Sequence, residues 1–64
     1  MKLAELRKAR GLSQRRLAAA ANIYKSTIIA IESGTAKIEN ISLRKAKGLA
    51  DALGITMEEL LKLD

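Results

Sequence analysis

The placement of helix-breaking residues is the feature that most constrains how this chain folds. Gly11, Gly34 and Gly54 divide a proline-free chain of 64 residues into short segments rich in Ala, Leu, Lys, Arg and Glu. These are good helix formers, and no run of alternating β-branched residues indicates a strand. The chain is therefore predicted to be all-α, with residues 1–64 forming a single domain built as a compact five-helix bundle.

The bounds of the five helices follow from apolar spacing and capping residues. The helices are predicted at residues 2–10, 14–21, 25–33 and 43–53, with a last short helix ending near residue 62. Ser13 and Ser42 are predicted N-caps, and Thr56–Glu59 is a predicted capping box. Asn22 stands at a corner that needs a positive φ, which asparagine tolerates better than most residues. Thr35–Ile41 is predicted to be a polar loop.

Four of the five predicted helices have a recognisable inward stripe of mainly small or apolar residues. Gly48 lies inside the fourth helix, where it costs about 1 kcal/mol against Ala, and is therefore predicted to permit close packing. The stripes are Leu3 and Leu6 with Ala9 or Arg10; Leu17, Ala18 and Ala21; Thr27, Ile28 and Ile31; and Ala46, Leu49, Ala50 and Leu53.

The composition argues against an enzyme. The chain has no cysteine and no histidine, so it lacks disulfides, thiolate metal sites and the commonest general base. Its seven acidic residues are scattered, and no Gly-rich loop is placed to hold a phosphate. We therefore expect no catalytic residues, metal, cofactor or small-molecule substrate. No apolar run approaches the roughly 18 residues of a membrane span, and no signal peptide is visible, so a cytoplasmic location is expected.

The charge is unevenly distributed along the chain. The net charge is +5, and residues 1–47 carry 11 basic and 3 acidic residues, whereas residues 48–64 carry 1 basic and 4 acidic residues. Arg15 and Arg16 lie in the first turn of the second helix, and Arg44 and Lys45 in that of the fourth, where the helix dipole disfavours cations by about 0.3–1 kcal/mol each. Backbone N–H groups and cations together favour phosphate binding. The alternative is a solvated basic surface.

The third helix has a second side that its predicted core stripe leaves unexplained. Lys25, Ser26, Ile29 and Ala30 lie opposite that stripe. The helix therefore either contacts a partner or is buried on both sides.

The order of motifs resembles the Cro and lambda-repressor type of helix-turn-helix domain. Leu49–Leu61 is also similar to the last two helices of that family. The motifs that carry the resemblance are Leu12-Ser13-Gln14, Leu17-Ala18, Asn22, Thr27-Ile28 and Ile31-Glu32-Ser33-Gly34.

The resemblance implies a lambda repressor-like fold whose third helix enters the major groove of double-stranded DNA, as in a transcriptional regulator. It also implies a structural pair between Arg7 and Glu32. The implied base contacts are Lys25, Ser26, Ile29, Ala30 and Gln14, of which the last would touch a phosphate or help a base contact. The resemblance places a phosphate-contacting loop at about Lys37 to Lys45. Together with the cations at the helix starts and the Tyr24 hydroxyl, the predicted phosphate contacts are Tyr24, Arg15, Arg16, Lys37, Arg44 and Lys45. Apolar side chains suit the C5-methyl group of thymine, so Ile29 and Ala30 favour a thymine-containing site.

Departures from the family pattern leave alternatives open. Asn22 replaces the usual turn glycine, Tyr24 replaces a small residue, and positions 29 and 30 are apolar where polar residues are usual. A protein-interaction module that has lost DNA binding is therefore the alternative function. Met57, Leu60 and Leu61 suit either a homodimer surface or the monomer core. A natural chain would be associated with the nucleoid, but the alanine-rich, proline-free composition equally suits a designed or engineered domain.

Overall fold

A computed structural model describes residues 2–63, which form five α-helices and one short 3₁₀ turn. The elements are α1 (Leu3–Ala9), α2 (Gln14–Ala21), α3 (Lys25–Ser33), the 3₁₀ turn (Ile38–Asn40), α4 (Leu43–Leu53) and α5 (Met57–Leu61). The prediction of an all-α five-helix bundle is confirmed, and α2, α3 and α4 have the predicted bounds. Over residues 2–63, no helix combines the length and apolarity needed to cross a membrane.

The helix ends are fixed by the capping residues that the sequence predicts. Ser13 Oγ accepts a hydrogen bond from the Arg16 backbone N–H at 3.0 Å, and Ser42 Oγ accepts one from Lys45 at 3.2 Å. Thr56 and Glu59 form the predicted reciprocal capping box. Asn22 ends α2 in the left-handed conformation at φ 57°. Between residues 2 and 63, Asn22 is the one non-glycine residue with positive φ. This left-handed conformation turns the chain sharply before α3.

The core lies where α2 packs against α3 and α4, and α5 closes the bundle over α4. Gly48 makes the contact between α2 and α4 close, because a Cβ at this position would overlap the backbone carbonyl oxygen of Ala21. The close packing predicted for Gly48 is therefore confirmed. The buried apolar residues are Leu3, Leu6, Leu17, Ala18, Ala21, Ile28, Ile31, Ile38, Ala46, Leu49, Ala50, Leu53 and Leu60.

The structure corrects two details of the predicted helices and loop. The third inward residue of α1 is Arg7, whereas Ala9 and Arg10 are exposed, because the Arg7 side chain has an acidic partner inside the bundle. The segment 35–41 is not simply a polar loop, since its 3₁₀ turn buries Ile38 against the core and half-buries Ala36. In addition, α1 is one residue shorter at each end than predicted.

Candidate nucleic-acid interface

The corner between α2 and α3 sets the direction of α3. The Ile23 backbone N–H donates to the Ala18 carbonyl at 3.0 Å, which closes the end of α2. Tyr24 then precedes the first turn of α3, and its carbonyl accepts from the Thr27 N–H at 3.0 Å. Because Ile28 and Ile31 are buried, the opposite side of α3 points out of the bundle.

This opposite side, which we call the outer face of α3, consists of Lys25, Ser26, Ile29 and Ala30. Lys25 and Ser26 are exposed, Ile29 is 44% exposed and Ala30 is half-buried. The possibility that the helix is buried on both sides is therefore excluded for the folded chain. An apolar side chain flanked by a lysine and a serine remains available for a partner.

The predicted cations at the two helix starts are accessible. Arg15, Arg16, Arg44 and Lys45 are all exposed, and the ion pairs among residues 2–63 involve other side chains. Each capping serine accepts the N–H of the third helical residue, and the first two N–H groups of α2 and α4 have no hydrogen-bond acceptor among residues 2–63. Each helix start thus offers backbone donors together with two cationic side chains.

The start of α4 lies beside the corner that leads into α3. Tyr24 and Lys45 line one shallow cavity of about 280 Å³ together with Asn22 and Ile23. Tyr24 is 78% exposed, so its ring does not fill the core. Lys37 lines a different cavity of about 380 Å³ beside α5. The structure therefore brings Tyr24 and Lys45 together, and does not bring Lys37 to them.

A polar network connects α1, α2 and α3 behind the outer face. Arg7 Nε and Nη2 donate to the two carboxylate oxygens of Glu32 at 2.7 and 3.1 Å. Arg7 Nη1 donates to the Leu12 carbonyl at 2.9 Å, and Gln14 Nε2 donates to Glu32 Oε1 at 3.0 Å. The structural pair predicted for Arg7 and Glu32 is present, with each side chain about one-tenth exposed. Gln14, predicted as a DNA contact, is half-buried and bound to Glu32 on one side.

The network changes the ionisation of both members of the pair. Burial raises the pKa of the Glu32 carboxyl, but hydrogen bonds from Arg7 and Gln14 and the nearby positive charges outweigh it, so the pKa lies below its ordinary value. The hydrogen bond to Glu32 raises the pKa of Arg7 above that of a free guanidinium. The pair is therefore fully charged at neutral pH.

Sequence reasoning missed three features of this region. No local signal reveals the bond from Gln14 to Glu32, because the residues are 18 positions apart on different helices. Arg10 Nε donates to the Leu53 carbonyl at 2.9 Å and so closes the C-terminus of α4. Leu43 continues the inward spacing of α4, yet it is 78% exposed. It adds an apolar group beside Arg44.

Comparison with known proteins agrees with this arrangement. A family model described as helix-turn-helix matches residues 3–60, nearly the whole chain. No curated protein and no solved structure matches the chain significantly.

Proposed function

The chain belongs to the helix-turn-helix family, and we propose that it reads double-stranded DNA by placing α3 in the major groove. The family consists of DNA-binding, transcription-regulator-like domains of the Cro and lambda-repressor type. It is not an enzyme family. We propose that the readout is sequence-specific and that particular exposed side chains perform it.

The observation that carries the proposal is the exposed outer face of α3, together with the exposed cations at the starts of α2 and α4. Since both side chains are exposed, we propose that Lys25 donates to guanine O6 or N7 and that Ser26 bonds a base edge. Ile29 and Ala30 supply apolar surface for thymine methyl groups. Gln14, held by Glu32 at the start of α2, is a further candidate at the edge of this surface.

The proposed phosphate contacts lie mainly at the starts of α2 and α4. Arg15 and Arg16 at α2, with Arg44 and Lys45 at α4, combine cations with free backbone N–H groups. Tyr24 lines a cavity with Lys45, and we propose that its hydroxyl donates to a phosphate. Lys37 stays in the set as a more distant contact, since it lies beside α5. A chain that binds double-stranded DNA in this way acts on the chromosome. We therefore propose that it is located in the cytoplasm, at the nucleoid.

We further propose that two copies bind one two-fold site, because a single domain covers only a few base pairs. Leu60 is fully buried in the monomer and is therefore unavailable for a dimer surface. Leu61 is 57% exposed and Met57 is half-buried, so α5 still presents apolar surface. We therefore propose that the outer side of α5 forms the dimer contact.

In-vitro selection on a random duplex library at low salt tests the proposal. We expect enrichment of a short motif that contains thymines, in two inverted copies where a dimer binds. Salt-sensitive retention without an enriched motif would indicate non-specific binding. If no duplex is retained, the exposed Ile29 becomes the centre of a protein contact, and the interaction module replaces DNA readout as the function.

A further inference from the structure

We propose that the outer face of α3 recognises the C5-methyl group of pyrimidines as a class, so that 5-methylcytosine is bound in preference to cytosine. This inference rests on the proposed function and names the base chemistry that the site selects.

The α3 helix has few strong hydrogen-bond acceptors. Reading the amino group of cytosine or adenine normally uses a carboxylate or a side-chain amide. The α3 segment contains no Asp, Asn or Gln, and its one glutamate is Glu32.

Glu32 does not serve as that acceptor, because the fold uses its carboxylate internally. Both of its oxygens accept hydrogen bonds from Arg7, and Oε1 also accepts one from Gln14. Its side chain is only one-tenth exposed. On α3, the remaining polar groups of the outer face are the Lys25 ammonium, which only donates, and the Ser26 hydroxyl.

The other half of the outer face of α3 is apolar. Ile29 is 44% exposed and Ala30 half-buried, one helical turn beyond Lys25 and Ser26. In the major groove the matching apolar group is the C5-methyl of thymine. Cytosine methylated at C5 carries the same methyl at the same ring position. The Ser26 hydroxyl can donate to O4 or accept from N4 and so tolerates either base, which leaves the methyl as the feature that decides the contact at a pyrimidine facing Ile29.

The experiment uses the duplex enriched by selection and measures Kd by fluorescence anisotropy at one fixed salt concentration. Each thymine is replaced in turn by deoxyuridine, which lacks only the methyl. At a contacted position we expect affinity to fall roughly fourfold, the factor for losing burial of one methyl group. Replacing that thymine–adenine pair by cytosine–guanine should weaken binding. Methylating the new cytosine should then raise the affinity again by roughly fourfold.

Protein variants assign the effect to this face. Ile29→Ser and Ala30→Ser are expected to reduce the ratio of affinities for methylated and unmethylated DNA toward one at their positions. Arg16→Ala is the control, because loss of a phosphate contact should lower affinity for every duplex and leave that ratio unchanged.

Equal affinity for thymine and deoxyuridine at every position would overturn this inference alone, provided that the duplex is bound specifically. A ratio that survives both serine variants would also overturn it, since other residues would then read the methyl. Failure to bind any duplex would remove the proposed function and this inference together.

Discussion

Among single residues, Glu32 carries its charge in a largely buried position. Its carboxylate is nearly buried, and three hydrogen bonds from Arg7 and Gln14 stabilise its charge. A buried charge that loses its partners is costly. The pair therefore ties the relative placement of α1, α2 and α3 to one ionised group.

Acid should weaken the fold through this group. The pKa of Glu32 is lower in the folded chain than in the unfolded chain, so its contribution is complete at neutral pH. The contribution is lost as the pH falls from the ordinary range of a glutamate, about 4.3, through the folded value. Glu32→Gln should cost about 2 kcal/mol at pH 7 and should make stability less dependent on pH between about 5 and 3. Urea unfolding at a series of pH values measures both effects.

The exposed Glu58 supplies a matched control, because Glu58→Gln should leave the dependence on pH nearly intact. Part of the acid dependence should remain in both variants, since hydrogen bonds from Thr56 also lower the pKa of Glu59. If Glu32→Gln and wild type lost stability in parallel below pH 5, the carboxylate would not be the group that acid removes.

Substitutions should separate the residues that read bases from those that bind phosphates. Lys25→Ala and Ile29→Ala should change which sequences are preferred, because they alter the outer face of α3. Arg16→Ala and Lys45→Ala should weaken binding to all sequences alike and reduce the slope of log K against log salt by about 0.9 each. Parallel selections and salt titrations on each variant provide the measurement.

The control for the phosphate variants is Lys62→Ala, which removes a cation from the end of α5. It should leave both preference and salt slope close to wild type. If all four site variants changed affinity in the same way, the division into base and phosphate contacts would be wrong.

How far the sequence predicts the site depends on how local each signal is. The pair Arg7–Glu32 is predictable because the family pattern marks both positions. The burial of Arg7 in place of Ala9 or Arg10 is not, since spacing allows all three and only the partner 25 residues away decides. The bond from Gln14 to Glu32 has no signature in either segment.

At the scale of helices, bounds are predictable where caps and breakers coincide with apolar spacing. The starts of α2 and α4 follow from Ser13 and Ser42, and α3 and α4 end at glycines with positive φ. The 3₁₀ turn was missed because one buried residue, Ile38, creates no periodicity. Its burial depends on contacts with α5, which lie outside the local sequence.

The packing of α2 on α4 predicts an unusual response to Gly48→Ala. In an exposed helix this change would stabilise by about 1 kcal/mol. Here the new Cβ meets the backbone carbonyl of Ala21, which cannot rotate away, so the helices must separate. We expect a net loss of about 2 kcal/mol in the free energy of unfolding, within the range for overpacking.

Thermal and urea unfolding of Gly48→Ala, with Lys47→Ala beside it, measure this loss. Lys47 makes an exposed pair with Asp51, so its replacement should change stability by no more than about 0.5 kcal/mol. A more stable Gly48→Ala variant would show that α2 and α4 tolerate a wider separation.

For the whole molecule, the proposed dimer makes a prediction about assembly. Leu61 is the most exposed apolar residue of α5, whereas Leu60 beside it is buried in the core. Leu61→Lys should therefore leave the monomer fold intact and prevent two copies from associating. Sedimentation of the protein with a two-site duplex should then give one protein per half-site without cooperativity. Unchanged cooperative binding by Leu61→Lys would place the dimer contact elsewhere.

The distribution of charge over the molecule predicts how salt acts on DNA binding. The basic residues of 1–47 include the cations at both helix starts, whereas two of the four acidic residues of 48–64, Glu58 and Glu59, lie in the first turn of α5. About four to six phosphate contacts would give a slope of log K against log salt near −4 to −5. Anisotropy titrations from about 50 to 200 mM salt should then show a loss of several hundredfold in affinity. A shallow slope with retained binding would mean that the helix starts do not neutralise phosphates, and that the outer face of α3 binds through apolar contact instead.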